Sequence, residues 1–249
     1  MVISQTTEAV KTVMLFQYLG LILKEPLSFL SLLPGILIML GVGLCTAITV
    51  HEFSHALIAE LLGDSTAKRL GRLSLNPRVH LDPSGTLMLL LLGLGWGKPT
   101  PVNPSRLRYG PLGVTLVSIA GPIANLLTSA VLAIPFRLEW LSLPRNLVAI
   151  PEVLSTSPQE TCAAIIAFTV YINIVLCIFN LLPIAPLDGF KVLLGLLPYN
   201  TARVFSRLEA YGPVILIGVF MLDFSLGLGI MGTLLFPPIQ FFVTLMLGI

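Results

Sequence analysis

Residues 29–62 read FLSLLPGILIMLGVGLCTAITVHEFSHALIAELL, with no Asp, Glu, Lys or Arg before Glu52. About 20 apolar residues suffice to cross a bilayer as a helix. This run therefore commits the chain to lipid before any other feature is considered. Composition agrees: 55% of residues are hydrophobic and 10% charged, against roughly 25% charged in an ordinary soluble domain. The expected fold is an all-α integral membrane protein, with mean hydropathy +0.95. A formal net charge of +2 without a basic, aromatic-interleaved block excludes a nucleic-acid partner.

Three further runs are long enough to span, at about 112–136, 162–184 and 213–236. Two shorter apolar pieces, 13–23 and 86–96, bring the expected bundle to about four to six segments. The loop 63–83 carries Lys68, Arg69, Arg72 and Arg78, and the loop 97–110 carries Lys98, Arg106 and Arg108. A crossing at 86–96 would put one basic loop outside, against the positive-inside bias, so that piece is expected to be re-entrant. The 137–160 connection, with Glu139, Glu152 and Glu160, suits the outer face. Lys191, Arg203 and Arg207 return the chain inside. The N-terminus lacks a secretory signal and is expected to be retained. Residues 1–28 read as an amphipathic or half-span segment, and 29–249 as one membrane domain. Cys45, Cys162 and Cys177 sit in or beside apolar runs without metal spacing and read as small buried hydrophobes.

Ionisable groups at bilayer depth are costly and mark function. His51, Glu52 and His55 form H-E-x-x-H. Residues four apart share a helix face, so both imidazoles can reach one ion, with Glu52 offset as general base for a water. A catalytic zinc takes three protein ligands. Asp188, in NLLPIAPLDGFKVL, approaches from the side where His51 and His55 lie; Asp223, Glu60, Asp82 and His80 are the other carriers of a third ligand. Pro183 and Pro186 break the helix before Asp188, which membrane depth tolerates only around protein or a water-filled cavity.

With HEFSH in an apolar helix and NLLPIAPLDG downstream, the sequence resembles the site-2 protease family of intramembrane zinc metalloproteases, in its compact prokaryotic form without a PDZ insertion. The resemblance implies that His51, His55 and Asp188 hold one Zn2+ and that Glu52 is the base. It implies that Asn180, eight residues before Asp188, holds substrate backbone or the oxyanion. GWGKPTPVN at 95–103 is similar to a family segment that pairs with extended substrate, where Pro99 and Pro101 suit an edge. AGPIANLL at 120–127 is similar to a family G-P-x-x-N motif. There, Gly121 permits close helix approach and Asn125 bonds a neighbouring helix or the site. Phe190 and Lys191 depart from the Gly-Arg of many relatives.

The expected activity is hydrolysis of peptide bonds in or near the transmembrane segment of a membrane-protein substrate. The expected location is a prokaryotic cell membrane, with the site toward the cytoplasm. Three rivals compete with it. A transporter using HEFSH as transit ligands would show a duplicated half, and none is seen. A prenyl-protein-type protease would need a distant E-x-x-x-D, whereas Glu60 and Asp64 lie just past His55. A catalytically silent relative would keep the same residues.

Overall fold

The computed structural model of the chain describes residues 26–83, 85, 97–144, 147 and 157–249. The re-entrant piece expected at 86–96 lies outside these residues, as does most of the segment expected at 1–28. Eight α-helices follow in order among the described residues: α1 Pro26–Leu61, α2 Thr66–Arg69, α3 Pro111–Arg137, α4 Pro158–Asn180, α5 Asp188–Leu196, α6 Tyr199–Phe205, α7 Gly212–Leu226 and α8 Ile230–Leu247. The described residues contain no strand, only an isolated bridge between Leu81 and Gly97. Among the described residues, five segments are long and apolar enough to cross a membrane: Leu33–Leu61, Pro111–Arg137, Pro158–Asn180, Tyr199–Asp223 and Ile230–Leu247. The protein is an all-α integral membrane protein. The three cysteines are free thiols.

Local chemistry sets the helix ends. Proline opens α3 and α4, where its missing N–H costs nothing. Ser157 and Glu160 form a reciprocal cap at the start of α4: Glu160 N donates to Ser157 Oγ at 3.3 Å, and Ser157 N donates to Glu160 Oε2 at 3.0 Å. At its other end α4 stops at Asn180, three residues before Pro183. Residues 181–187 make irregular turns, and α5 begins at Asp188 itself. A Cβ on Gly189 would fall on the Leu181 carbonyl. Glycine thus lets the first turn of α5 fold tightly against the end of α4, carrying Asp188 into the bundle.

Cross-helix contacts fix directions. Ala47 and His51 of α1 meet Asn125 of α3, while His55 meets Val117, so the two helices are antiparallel. Asn125 meets Asn173 and Ser129 meets Val170, making α3 and α4 antiparallel as well. Arg137, the last residue of α3, donates through Nε to Met246 O at 2.8 Å and through Nη2 to Leu245 O. It caps the end of α8, so α8 runs parallel to α3. An apolar core of Ala133, Phe136, Ala167, Ile174, Ile239 and Val243 joins α3, α4 and α8.

The run expected as one span at 213–236 is divided. Gly227 and Gly229 take left-handed φ values of 60° and 66°, a conformation glycine adopts at no steric cost, and α7 gives way to α8 there. Asp223 then receives the free N–H groups of Ile230 (2.6 Å) and Met231 (3.1 Å). Gly212 abuts Ala185, and Phe220 lies 6.1 Å, ring centroid to centroid, from Phe179. Since α8 rises about 27 Å toward Arg137, the 212–229 stretch starts and finishes at the end of the bundle that carries Asp188.

Candidate metal centre

His51 and His55 stack one turn apart on α1, their rings 4.6 Å apart at 87°. Asp188, from the first turn of α5, reaches between them: its Oδ2 lies 2.9 Å from His51 Nε2 and 3.1 Å from His55 Nε2. All three side chains are buried. Their ligand atoms lie within 4.8 Å of one another, so the cluster can coordinate a metal ion.

The remaining nitrogens decide the protonation of each ring. Asn125 Nδ2 donates to Ala47 O at 2.9 Å and to Asn173 Oδ1 at 2.9 Å, which turns Asn125 Oδ1 toward His51. Asn173 is oriented in the same way, its Nδ2 donating to Thr169 O at 2.8 Å. Asn125 Oδ1 can only accept, so His51 Nδ1, 2.6 Å away, carries the proton. His55 Nδ1 likewise donates to the Val117 carbonyl at 2.7 Å. In the neutral imidazoles both Nε2 atoms are then bare lone pairs, and each faces a carboxylate oxygen. Three buried acceptors cannot satisfy one another, whereas a cation among them satisfies all three. Two imidazoles and a carboxylate, each imidazole oriented from behind by a hydrogen bond, match the donor set and outer support of a catalytic zinc site.

Room at this point comes from α3. A Cβ on Gly121 would sit 2.6 Å from His55 Nε2 and 2.7 Å from His51 Nε2. The close approach of α3 at Gly121 thus faces the Nε2 atoms of both histidines.

Glu52 is half-buried, and its Oε2 accepts from Thr100 N at 2.7 Å. Pro99 and Pro101 flank that donor, and Lys98 N donates to His80 O at 2.7 Å. Asn180 donates to Leu176 O at 3.0 Å, one turn back on α4. Phe190 is buried and Lys191 exposed.

The other candidates for a third ligand stand elsewhere. Asp223 caps α8, Glu60 pairs with Lys68 Nζ at 2.8 Å, Asp82 Oδ1 accepts from Gly85 N at 2.9 Å, and His80 Nε2 donates to Ser74 O at 2.7 Å. Asp64, fully buried, accepts from Thr66 N, Thr66 Oγ1 and Asn103 N at 3.1, 2.5 and 2.6 Å.

Sequence reasoning missed Asn173 and Thr100. Asn173 had a readable signal, since Thr169, Asn173 and Asn180 place polar groups four and seven residues apart on one face of an apolar helix. Thr100 had none, because its role depends on which loop crosses α1.

Comparison with known proteins gives a consistent result. The profile of peptidase family M50 matches residues 39–223. "Putative zinc metalloprotease YwhC" of Bacillus subtilis (strain 168) is 36% identical over 198 residues, covering 77% of this chain and 82% of that protein. "Putative zinc metalloprotease Rip2" of Mycobacterium tuberculosis (strain ATCC 25618 / H37Rv) is 28% identical over 201 residues, covering 79% and 70%. Its namesake in Mycolicibacterium smegmatis is 28% identical over 198 residues, covering 78% and 69%. No solved structure matches the chain.

Proposed function

The chain belongs to peptidase family M50, and from that premise we propose how its residues cut a peptide bond within the membrane. The protein is an intramembrane zinc metalloendopeptidase of the site-2 protease type. Residues 29–249 act as one protease domain, in which His51 Nε2, His55 Nε2 and Asp188 hold a single zinc ion. Bound there, zinc supplies a Lewis acid that polarises the scissile carbonyl and makes a water more acidic. The convergence of three buried acceptors on one point carries this reading.

Glu52 is the general base. It takes a proton from the attacking water as the new C–O bond forms, then gives it to the amide nitrogen as the C–N bond breaks. The second proton of the water passes from the new carboxyl group to the same nitrogen, so a carboxylate and an ammonium group result and Glu52 returns to its starting charge. Asn125 and Val117 keep the two imidazoles in the tautomer that leaves Nε2 free. Asn180 has a second amide N–H beyond the one given to Leu176, and that donor serves substrate backbone or the oxyanion. The segment holding Pro99 and Pro101 offers an edge to extended substrate.

The substrate is a membrane protein whose transmembrane helix unwinds locally, because helical carbonyls are otherwise hydrogen-bonded. Lys68, Arg69, Arg72, Arg78, Lys98, Arg106 and Arg108 occupy the loops next to His55, which supports a site toward the cytoplasm of a prokaryotic cell. The test compares wild type with Glu52→Ala in detergent on a model span. Cleavage should fall at least about 100-fold with zinc retained; equal cleavage would remove Glu52 as the base.

A further inference from the structure

The segment 97–103 lies against α1 beside the H-E-x-x-H turn, and its sequence, GKPTPVN, limits what its backbone can donate. Proline has no N–H, so Thr100 is the one backbone donor across Pro99, Thr100 and Pro101. That donor goes to Glu52 Oε2 at 2.7 Å. The hydroxyl of the same residue donates to the Glu52 main-chain carbonyl at 3.0 Å. One residue thus grips Glu52 by both side chain and backbone.

The segment is pinned on each side of this grip. Lys98 N donates to His80 O at 2.7 Å, and Asn103 N donates to the buried Asp64 Oδ2 at 2.6 Å. A Cβ on Gly97 would come within 2.9 Å of the Ile48 side chain, so the segment lies directly on α1. Proline fixes its own φ near −65° and holds the residue before it extended. Thr100 is stiffened from both sides.

We propose that Thr100 is a positioning residue for Glu52, acting through both donors: its hydroxyl holds the Glu52 main chain in place while its N–H fixes Oε2, which leaves Oε1 to receive the proton of the attacking water. This rests on the reading of Glu52 as general base. A free glutamate samples several rotamers, whereas a base must meet its proton at about 2.6–3.2 Å. Tethering one carboxylate oxygen selects the orientation before substrate arrives. A residue that merely staples the segment to α1 would act on stability and metal retention. A positioning residue acts on turnover.

The experiment uses the full chain in detergent with a model transmembrane substrate, and reads kcat, KM and zinc per chain. Thr100→Pro removes both donors, Thr100→Val removes the hydroxyl alone, and Thr100→Ser keeps both. In Thr100→Pro, kcat falls about 10- to 100-fold while KM stays within about twofold and zinc is unchanged. Thr100→Val falls less in the same direction, and Thr100→Ser restores what valine loses. If Thr100→Pro fails to fold or to hold zinc, the valine and serine pair decides. Wild-type kcat in a zinc-replete Thr100→Val then overturns the proposal, as does a rise in KM at constant kcat. Glu52→Gln runs alongside. An inactive Glu52→Gln beside a fully active Thr100→Pro refutes the positioning role alone, whereas an active Glu52→Gln refutes the base assignment beneath it.

Discussion

Asn125 Oδ1 lies 2.6 Å from His51 Nδ1, deep between α1, α3 and α4. Because both N–H groups of the Asn125 amide are committed, to Ala47 O and Asn173 Oδ1, the oxygen has one orientation and the imidazole one tautomer. A polar chain from Thr169 through Asn173 and Asn125 therefore ends on the lone pair of His51 Nε2. The cost of burying these amides is offset by their mutual satisfaction, and a defined metal-binding direction results.

Replacing Asn125 by leucine should weaken zinc binding about 10- to 100-fold, read by competition with a chelator. Asn173→Leu should weaken it less, since Asn125 keeps Ala47 as a partner. Unchanged affinity in Asn125→Leu would show that the helix alone orients His51.

Gly121→Ala tests the close approach of α3. The added methyl would fall against both Nε2 atoms, so zinc content and cleavage should both drop. The same rings stand there without metal, held from behind by Asn125 and Val117, so metal-free Gly121→Ala should melt below metal-free wild type although alanine is about 1 kcal/mol better than glycine within a helix. Full zinc occupancy in this variant would contradict the close approach.

Asp64 is a carboxylate outside the spans. Burial alone would raise its pKa, but hydrogen bonds from Thr66 and Asn103, with the charge of Arg106 nearby, hold it below the usual carboxylate range. A depressed folded pKa contributes stability that is present above the unfolded value and lost as pH falls through the folded one. Asp64→Asn should thus melt several degrees below wild type at neutral pH, with the gap closing as pH drops below about 4. A gap independent of pH would assign the effect to packing.

Substrate helicity should govern turnover. Placing glycine for alanine beside the scissile bond of a model span eases unwinding by about 1 kcal/mol, a gain of roughly fivefold in cleavage rate. Equal rates for both spans, measured with the same enzyme preparation, would mean that unwinding is not limiting.

The motif at 51–55 and the aspartate of L-D-G were legible because each is a costly group in an apolar setting, and cost marks purpose. The helices at Pro26–Leu61, Pro111–Arg137 and Pro158–Asn180 were legible for the converse reason, as long runs with little to interrupt them. The break at Gly227 and Gly229 was not, because glycine is also common inside membrane helices and only a positive φ reveals the turn. Which carboxylate joins the two histidines was open in the sequence. Among the described residues, Asp188 is the carboxylate that stands within reach of both histidines, while Asp223, Glu60 and Asp82 each have a partner elsewhere. Thr100 was invisible for want of any compositional trace of the segment's path.

Zinc per chain in purified wild type beside Asp188→Ala tests the central claim most directly. About one ion per wild-type chain, and a large loss in the variant with helical content preserved, is the expected result. Equal zinc in the two proteins would contradict the convergence of α1 and α5 on one ion.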